Sequence, residues 1–459
     1  MKRSIITISD LFELTGAVIY NPDSYKSVSS FEIDSRKLSK RSIFIAVKGK
    51  NYDGHSFVKD AIANGAVAVI INRNRLDEFE DVDSTIVTVP NTIKAFGELA
   101  KIKRVKLNYL VVGITGSNGK TSTKEFAAQL ISQKFRVTKT VGNNNNHIGV
   151  PLTISEAKLS DDALILELGT NHPGEIKYTA EIAQPDVALI TNIGQAHLKY
   201  LKDKESVLEE KAELFEVTDA RGGKILLNTD DKLLRKLKTK YNNVITFGFK
   251  GSPTIKGEIV EYDRNGYPKI KVTYKNKQYE FKTDIIGDAA VQNIFNAVAI
   301  AIILGLNKKE ILSGIKRLKN ISGRFEVINF KEFILVDDTY NSSPESILSG
   351  IRSIKRIKTH KKKIAILGDI FELGNLSEKI HRDLAKEINK IKPTLVLTLG
   401  KMMRFTSEEL NVNNQHFTNI RSLLSFLKKM DFNDSVIFVK GSRGMKMERV
   451  VNFIKERES

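Results

Sequence analysis

The chain has 459 residues, 41% hydrophobic and 28% charged, so it exceeds what one hydrophobic core supports, and two to four domains are expected. Having no cysteine, it excludes disulfides and thiolate metal sites, in keeping with a reducing compartment. Net charge is +19, from 73 Lys and Arg against 54 Asp and Glu, which permits polyanionic partners. The sequence has no zinc-finger spacing, basic zipper or aromatic RNA-binding signature, so nucleic acid is not an expected partner. Most of the basic residues, including small clusters at 101–106, 232–240 and 352–363, are expected on a solvated surface. No apolar run approaches the ~20 residues of a membrane span. Asp10 and Glu13 interrupt the start of the chain, so neither an integral membrane protein nor a secretion signal is expected.

Residues 1–106 read as a separate small α/β domain. Ile33-Asp34-Ser35-Arg36-Lys37-Leu38 precedes a strand over 43–47, which runs through Lys48-Gly49 to Tyr52-Asp53-Gly54-His55. A helix over 56–64 then ends at Gly65. On ordinary grounds Asp53-Gly54 is a tight turn and Arg36 an ion-paired surface residue.

Residues 107–321 alternate strand and helix. A strand over 107–114 leads into Thr115-Gly116-Ser117-Asn118-Gly119-Lys120-Thr121-Ser122-Thr123 and a helix over 120–134 with Phe126, Leu130 and Ile131 on one face. Strand, glycine turn and helix make a phosphate loop: backbone N–H groups and the positive helix end cradle phosphate oxygens, Lys120 supplies a mobile cation, and the Thr121 hydroxyl ligates Mg²⁺. The strict G-x-x-x-x-G-K-[ST] spacing needs glycine at position 114, where Ile114 stands. Further strands are expected at 163–168, 186–192, 224–227 and 244–247, giving a mostly parallel sheet with helices on both faces and ligands beyond the strands' carboxyl ends. The groups at 115–121, 167–173 and 191–197 fall at those ends. Glu167 closes an apolar strand there and is the best carboxylate for a hard cation. His197 taken alone suits a hydrogen-bonded structural histidine, and Lys211, between Glu210 and Glu213, a surface helix lysine. An antiparallel insertion is expected over 251–281 with Asn265-Gly266 as its hairpin turn, and a buried helix over 287–304 carries Asn293.

Residues 322–459 again alternate, with strands at 333–336, 363–367, 394–399 and 435–439, each followed by a helical pattern. This is a doubly wound, Rossmann-like domain, though without the G-x-G-x-x-G fingerprint that would imply a bound dinucleotide. The sequence has no convincing internal repeat.

Several strings, in order and spanning nearly the whole chain, resemble motifs of the Mur ligases, the cytoplasmic ATP-dependent amide-bond ligases of peptidoglycan synthesis. They are the loop at 115–125, Asn143-Asn144-Asn145-Asn146-His147-Ile148-Gly149, Asn171-His172-Pro173-Gly174-Glu175-Ile176, Ser322-Gly323-Arg324-Phe325, Asp337-Asp338-Thr339-Tyr340 and Lys440-Gly441-Ser442-Arg443. The resemblance implies three α/β domains: 1–106 binding a UDP-sugar, 107–321 binding ATP, and 322–459 completing the ligase site. It implies ATP contacts at Gly116, Ser117, Asn118, Gly119, Lys120, Thr121, Ser122, Asn293, Arg324, Asp338 and Tyr340. Substrate contacts are implied at Ser35, Arg36, Lys48, Asp53, His55, Asn146, His147, Asn171, Lys440, Ser442 and Arg443. Catalysis is implied at Lys120, Glu167, His197 and Lys211, with two Mg²⁺ sites built from Thr121, Glu167, His197 and Lys211, the last carbamylated by CO₂ into an oxygen ligand. Lys40-Arg41 stands where the family usually has Pro-Gly, a departure confined to one turn.

Within the family, the 171–176 string and the asparagine loop resemble the branch that adds D-alanyl-D-alanine to UDP-N-acetylmuramoyl-tripeptide. The branch adding the third residue shares the N-terminal motifs, but its Asp-Asn-Pro-Arg signature is absent here. Folate polyglutamylation is a weaker alternative, and a basic ATP-driven nucleic-acid translocase is the alternative from another class. A cytoplasmic monomer is expected. The chemistry asks for cations: two unit charges ~4 Å apart repel by about 4 kcal/mol at an effective dielectric of 20, and an anionic acceptor has to approach an anionic triphosphate.

Overall fold

A computed structural model describes residues 5–49, 51–79, 81–194 and 203–458. Among these, twenty strands form three sheets that follow one another along the chain. The first contains β1 (Val18–Tyr20), β2 (Phe31–Glu32), β3 (Ser42–Ile45), β4 (Ala66–Asn72) and β5 (Thr85–Val89), in the order β1-β5-β4-β3-β2. Apart from β1, which runs antiparallel to β5, neighbouring strands are parallel. The apolar run of β4 suits a parallel strand covered on both faces. Helix Thr92–Leu107 completes this unit; the Asn91 side chain caps its start and Asn108, at φ 48°, ends it in the left-handed region. That stop shifts the strand expected from 107 to begin at Leu110.

The second sheet contains β6 (Leu110–Thr115), β7 (Val137–Lys139), β8 (Ala163–Glu167), β9 (Val187–Ile190), β10 (Lys224–Asn228), β11 (Val244–Gly248), β12 (Ile255–Tyr262), β13 (Pro268–Tyr274) and β14 (Lys277–Lys282). Its order is β14-β13-β12-β11-β10-β9-β6-β8-β7. Strands β6 to β12 pair in parallel and β12-β13-β14 form the expected antiparallel insertion. The β12–β13 turn is wider than a two-residue hairpin, because Asp263 Oδ1 accepts the N–H groups of Asn265 (2.9 Å) and Tyr267 (3.0 Å). One face packs on helices Lys120–Ile131 and Asp288–Ile303, through Phe126, Leu130, Ile294 and Val298. On the other, Ile182, Leu214 and Phe215 belong to an apolar cluster that continues without a break into Phe31, Phe96 and Leu99 of the first unit. Since β6 lies between β8 and β9, the β6–β7 and β8–β9 connections run to opposite sides of it, and the crevice at its carboxyl end is the natural ligand position.

The third sheet contains β15 (Glu326–Asn329), β16 (Phe333–Asp338), β17 (Lys362–Gly368), β18 (Leu395–Leu399), β19 (Asn414–Phe417) and β20 (Ser435–Lys440), ordered β15-β16-β20-β17-β18-β19. All neighbours are parallel except β15 with β16. Apolar clusters cover both faces, one around Ile347, Ile351 and Leu384, the other around Leu335, Ile366 and Leu423, so the domain is doubly wound as expected. Its two edge strands, β15 and β19, are additions to the four expected.

The expectation of a solvated basic surface fails at two of the clusters. Lys103 and Arg104 are each 2% exposed. Lys103 Nζ donates to the carbonyls of Ser155 (2.6 Å) and Ala157 (2.8 Å), and Arg104 to those of Ala183 and Gln184 and to Asp186. Lys363, also buried, donates to the Ile357 carbonyl. Each cation meets backbone carbonyls that helix ends leave without intrahelical partners. Among the described residues no helix is long and apolar enough to cross a membrane.

Candidate active site

The loop after β6 is shaped by two close approaches. At Gly116 (φ +144°) an added Cβ would overlap Thr191 Oγ1, and at Gly119 (φ +81°) it would overlap Asn293 Oδ1, so both positions require glycine. The end of β9 holds the loop from beside it. Ser117 N–H donates to the Asn192 carbonyl (3.0 Å) and Asn118 N–H to Asn192 Oδ1 (3.0 Å), while Thr191 Oγ1 donates to the Asn118 carbonyl (2.6 Å). Lys120 folds back to donate to the Gly116 carbonyl at 2.7 Å. Desolvation lowers its pKa, Glu167 opposes that, and the Arg324 cation adds to it, so the three charges feel one another across the crevice. Ser122 is buried in the first helical turn, and Asn293 receives a hydrogen bond from Thr123 Oγ1 at 3.3 Å.

Glu167 ends β8 with 2% exposure. Its Oε1 accepts from Asn145 Nδ2 (2.9 Å), whereas Oε2 is buried without a hydrogen-bond partner, 3.8 Å from Lys124 Nζ. The Thr115 hydroxyl, on the neighbouring strand end, is likewise buried and unpartnered. Hard oxygens left unsatisfied beside a phosphate loop fit Mg²⁺, which takes oxygen ligands and retains water. Thr121 Oγ1 accepts from Arg324 (3.0 Å) and keeps a second lone pair. Among the described residues no three His, Cys, Asp or Glu side chains converge as a ready metal cluster. His197 lies outside the described residues.

Lys211 is 2% exposed in helix Lys204–Ala220, so the surface-lysine alternative does not hold. Burial, reinforced by the nearby Lys120 cation, pushes it down to about 7, with Glu210 pulling the other way. Glu210 instead caps helix Glu175–Ala183, accepting from Gly174 N–H (2.7 Å) and Ile176 N–H (2.9 Å).

From the third domain, Arg324 stacks over Tyr340 at 4.0 Å while reaching Thr121, and Ser343 Oγ donates to Asn118 Oδ1 at 3.3 Å. Asp338 and Lys440 end the adjacent strands β16 and β20 and pair at 2.6 Å, and Lys440 also donates to the Asn341 carbonyl. They form one unit rather than two independent contacts. Ser442 is buried and its Oγ accepts Phe371 N–H (2.8 Å); Arg443 is exposed, 5.8 Å from the Tyr340 ring.

The N-terminal set is arranged separately. Arg36 is exposed and bonded to Asp34 (2.8 Å), in the short helix Ser35–Lys37 whose Lys37 pairs with Glu156 at 3.6 Å. Lys48 is exposed and bridges to Asp53 through the backbone. His55 is buried, with Nδ1 on Asp53 (2.7 Å) and Nε2 accepting Asn72 N–H (3.0 Å), so both ring nitrogens are used within the protein. Asn146 Oδ1 accepts Gly149 N–H (2.9 Å) at the start of helix Gly149–Glu156; His147 is half-buried and Asn171 exposed. Asn145, Lys124, Thr115, Thr191 and Asn192 lie in strings the sequence singles out, yet residue type alone gave none of them a role. For Lys124 the signal was present, since it lies on the buried side of a helix already placed by its apolar face.

Three family profiles match the chain in succession: "Mur ligase family, catalytic domain" over residues 27–104, "Mur ligase middle domain" over 114–301 and "Mur ligase, glutamate ligase domain" over 323–443. The chain is 32% identical to the UDP-N-acetylmuramoyl-tripeptide–D-alanyl-D-alanine ligase of Bacillus subtilis (strain 168), covering 97% of each. It is 30% identical to the protein of the same name from Escherichia coli (strain K12), covering 98% of each. Among solved structures, MurF from Acinetobacter baumannii superposes with a TM-score of 0.86 at 26% identity over 98% of both chains. MurF ligase from Thermotoga maritima in complex with ADP gives 0.80 at 28% identity, over 93% of this chain and 97% of that one.

Proposed function

This chain belongs to the Mur ligase family, and from that membership we propose that it joins D-alanyl-D-alanine to UDP-N-acetylmuramoyl-tripeptide at the expense of ATP. Near full-length similarity to relatives bearing that name supports the substrate pair, and the ADP-bound relative supports the nucleotide. The observation that carries the reaction type is a meeting of parts: the phosphate-loop Lys120, the buried Glu167 and the third domain's Arg324 share one crevice.

The reaction proceeds in two transfers. An oxygen of the tripeptide's terminal carboxylate attacks the γ-phosphorus, the bond to the bridging oxygen breaks, and ADP leaves an acyl phosphate. The dipeptide amine then attacks the acyl carbon, phosphate departs with the bonding pair, and the amine loses its proton. Lys120 turns from its own loop carbonyl to the triphosphate, and Arg324 adds a second cation, offsetting the repulsion between the two anions. Thr121 and Glu167 are the residues to hold Mg²⁺, joined by His197 and Lys211 for a second ion. Bound there, Mg²⁺ supplies Lewis acidity and neutralises phosphate charge. Lys211 reaches the ligand state by carbamylation: its neutral amine attacks the carbon of CO₂ and releases one proton, leaving an anionic carbamate. A buried amine whose pKa is pushed down to about 7 has the neutral fraction this needs.

Residues 1–106 bind the UDP-sugar, 107–321 the ATP, and 322–459 close over both and receive the dipeptide, in a cytoplasmic, monomeric enzyme. The test is phosphate release from ATP and Mg²⁺ with the substrates added singly and together. Release that requires both the sugar-tripeptide and D-alanyl-D-alanine is expected; release indifferent to the dipeptide overturns the assignment.

A further inference from the structure

The hydrogen bond between Asn145 and Glu167 joins two parts of the molecule otherwise described separately: the asparagine loop and the carboxylate beside the phosphate loop. We propose that Asn145 is a positioning residue that couples occupancy of the asparagine loop to the orientation of the Glu167 carboxylate. The proposal rests on Glu167 being a metal ligand, as read above.

Among the described residues, the Glu167 carboxylate accepts one hydrogen bond, from Asn145 Nδ2 to Oε1 at 2.9 Å; Oε2 accepts none. Lys124 does not fix it. Its Nζ is already committed to the Thr140 carbonyl (2.6 Å) and Glu125 (3.1 Å) and stands 3.8 Å from Oε2. Lys124 thus balances charge in a dry setting, while the directional restraint on the carboxylate comes from Asn145.

Asn145 is itself held from both sides. Its carbonyl accepts Gly169 N–H at 2.7 Å, and its side chain lies so close over Gly169 that a Cβ there would come within 2.7 Å of Asn145 Cγ. One residue further, Asn146 opens helix Gly149–Glu156, and an added Cβ at Gly149 would overlap the Asn144 backbone, so the loop sits directly on that helix start. The helix ends at Glu156, paired with Lys37 of the short Ser35–Lys37 helix in the first domain. The packed part of this path runs from the start of helix Gly149–Glu156 through the asparagine loop to one carboxylate oxygen, with the exposed Lys37–Glu156 pair as its link to the first domain. A sugar-peptide settling on the loop then turns Glu167 into place, so the metal is gripped when the acceptor is present.

The experiment measures Mn²⁺ binding by electron paramagnetic resonance on the full chain holding a non-hydrolysable ATP analogue, with and without UDP-N-acetylmuramoyl-tripeptide. In the unmodified protein the sugar-peptide should tighten Mn²⁺ binding about five-fold or more. In Asn145→Ala that ratio should fall to about 1, with the melting temperature confirming an intact fold. Asn145→Ser, whose hydroxyl is too short to span the same gap, gives the same reading should the alanine variant fold poorly. A ratio retained in these variants, or absent from the unmodified protein, overturns the coupling. Glu167→Gln separates this from the parent reading. If it weakens Mn²⁺ binding while Asn145→Ala keeps the ratio, the coupling alone fails; if it binds Mn²⁺ like the unmodified protein, the metal assignment fails as well.

Discussion

Lys211 illustrates how burial changes what a side chain is for. On an open helix face it would be a permanent cation; enclosed beside Lys120 it becomes a poised amine. Lys211→Ala is expected to abolish synthesis in the phosphate-release assay, with partial return on adding short-chain carboxylic acids that stand in for the carbamate. A fully active variant removes Lys211 from the mechanism. Asp53 makes a pH-dependent contribution. Burial alone would raise its carboxyl, but hydrogen bonds from His55 and Arg75 outweigh this and hold it at about 2, below the ordinary 3.8. A depressed carboxyl stabilises the fold above its unfolded value, and that stability is lost as pH falls through the folded one. Asp53→Asn should therefore lower the melting temperature at pH 6 to 7, and the gap from the unmodified protein should close between about pH 4 and pH 2. At this scale the sequence singled out Lys120 and Glu167 by residue type and position, and the fold brings the two charges within reach of each other. It could not identify Asn145 as the partner of Glu167, because that bond spans 22 positions and exists only once β8 has formed. Nor did it separate buried Lys103 and Arg104 from solvated neighbours, since a run of basic residues looks alike whether it meets water or carbonyls.

Among the elements, the phosphate loop is one whose backbone leaves little freedom. Gly116→Ala places a methyl on Thr191 Oγ1 in a conformation that L residues rarely adopt. It should lower kcat by about 10²-fold or more, because displacing a phosphate cradle by about 1 Å is enough to misalign the transfer. Helix Glu175–Ala183 depends on a distant cap, and Glu210→Ala should cost about 1–3 kcal/mol, mainly by leaving the buried Ile176 N–H unpaired, read as a lower denaturant midpoint. The long apolar strands and the helices with strong capping residues were legible in the sequence, including β8, β9, β16, β17 and β20. Strand β19, with Asn414-Gln415-His416, carries no alternation to reveal it, and β15 is a strand because it pairs with β16. Asn265-Gly266 is the strongest local turn signal and does fall in the turn, but the turn's five-residue width follows from the Asp263 carboxylate, which organises two N–H groups at once and carries no comparable signal in sequence.

At the scale of the molecule, the third domain meets the second at the loop through Arg324 and Ser343, and again where Ile286 and Tyr267 pack into the third domain's core, Ser353 Oγ accepts Asp288 N–H (3.0 Å), and Arg356 pairs with Asp288 and stacks on Tyr262 at 4.8 Å. Asp288 begins the helix that carries Asn293, so this clasp holds the same helix that lines the loop. Arg356→Ala should weaken the clasp by about 1 kcal/mol or less, as befits a half-exposed pair. Small-angle scattering should then report a larger radius of gyration without ligands, returning to the unmodified value with nucleotide and sugar-peptide. The order of domains was legible from alternating strand and helix; their mutual packing was not, because the residues that meet lie more than 60 positions apart.

The apolar cluster that runs from Phe31 and Phe96 into Ile182 and Phe215 belongs to both of the first two units. The first two-thirds of the chain consequently behave as a single casting, in which the first sheet and the crevice at the end of β6 keep a fixed spacing. A cut made between Leu107 and Leu110 would leave two halves each with a raw hydrophobic wound.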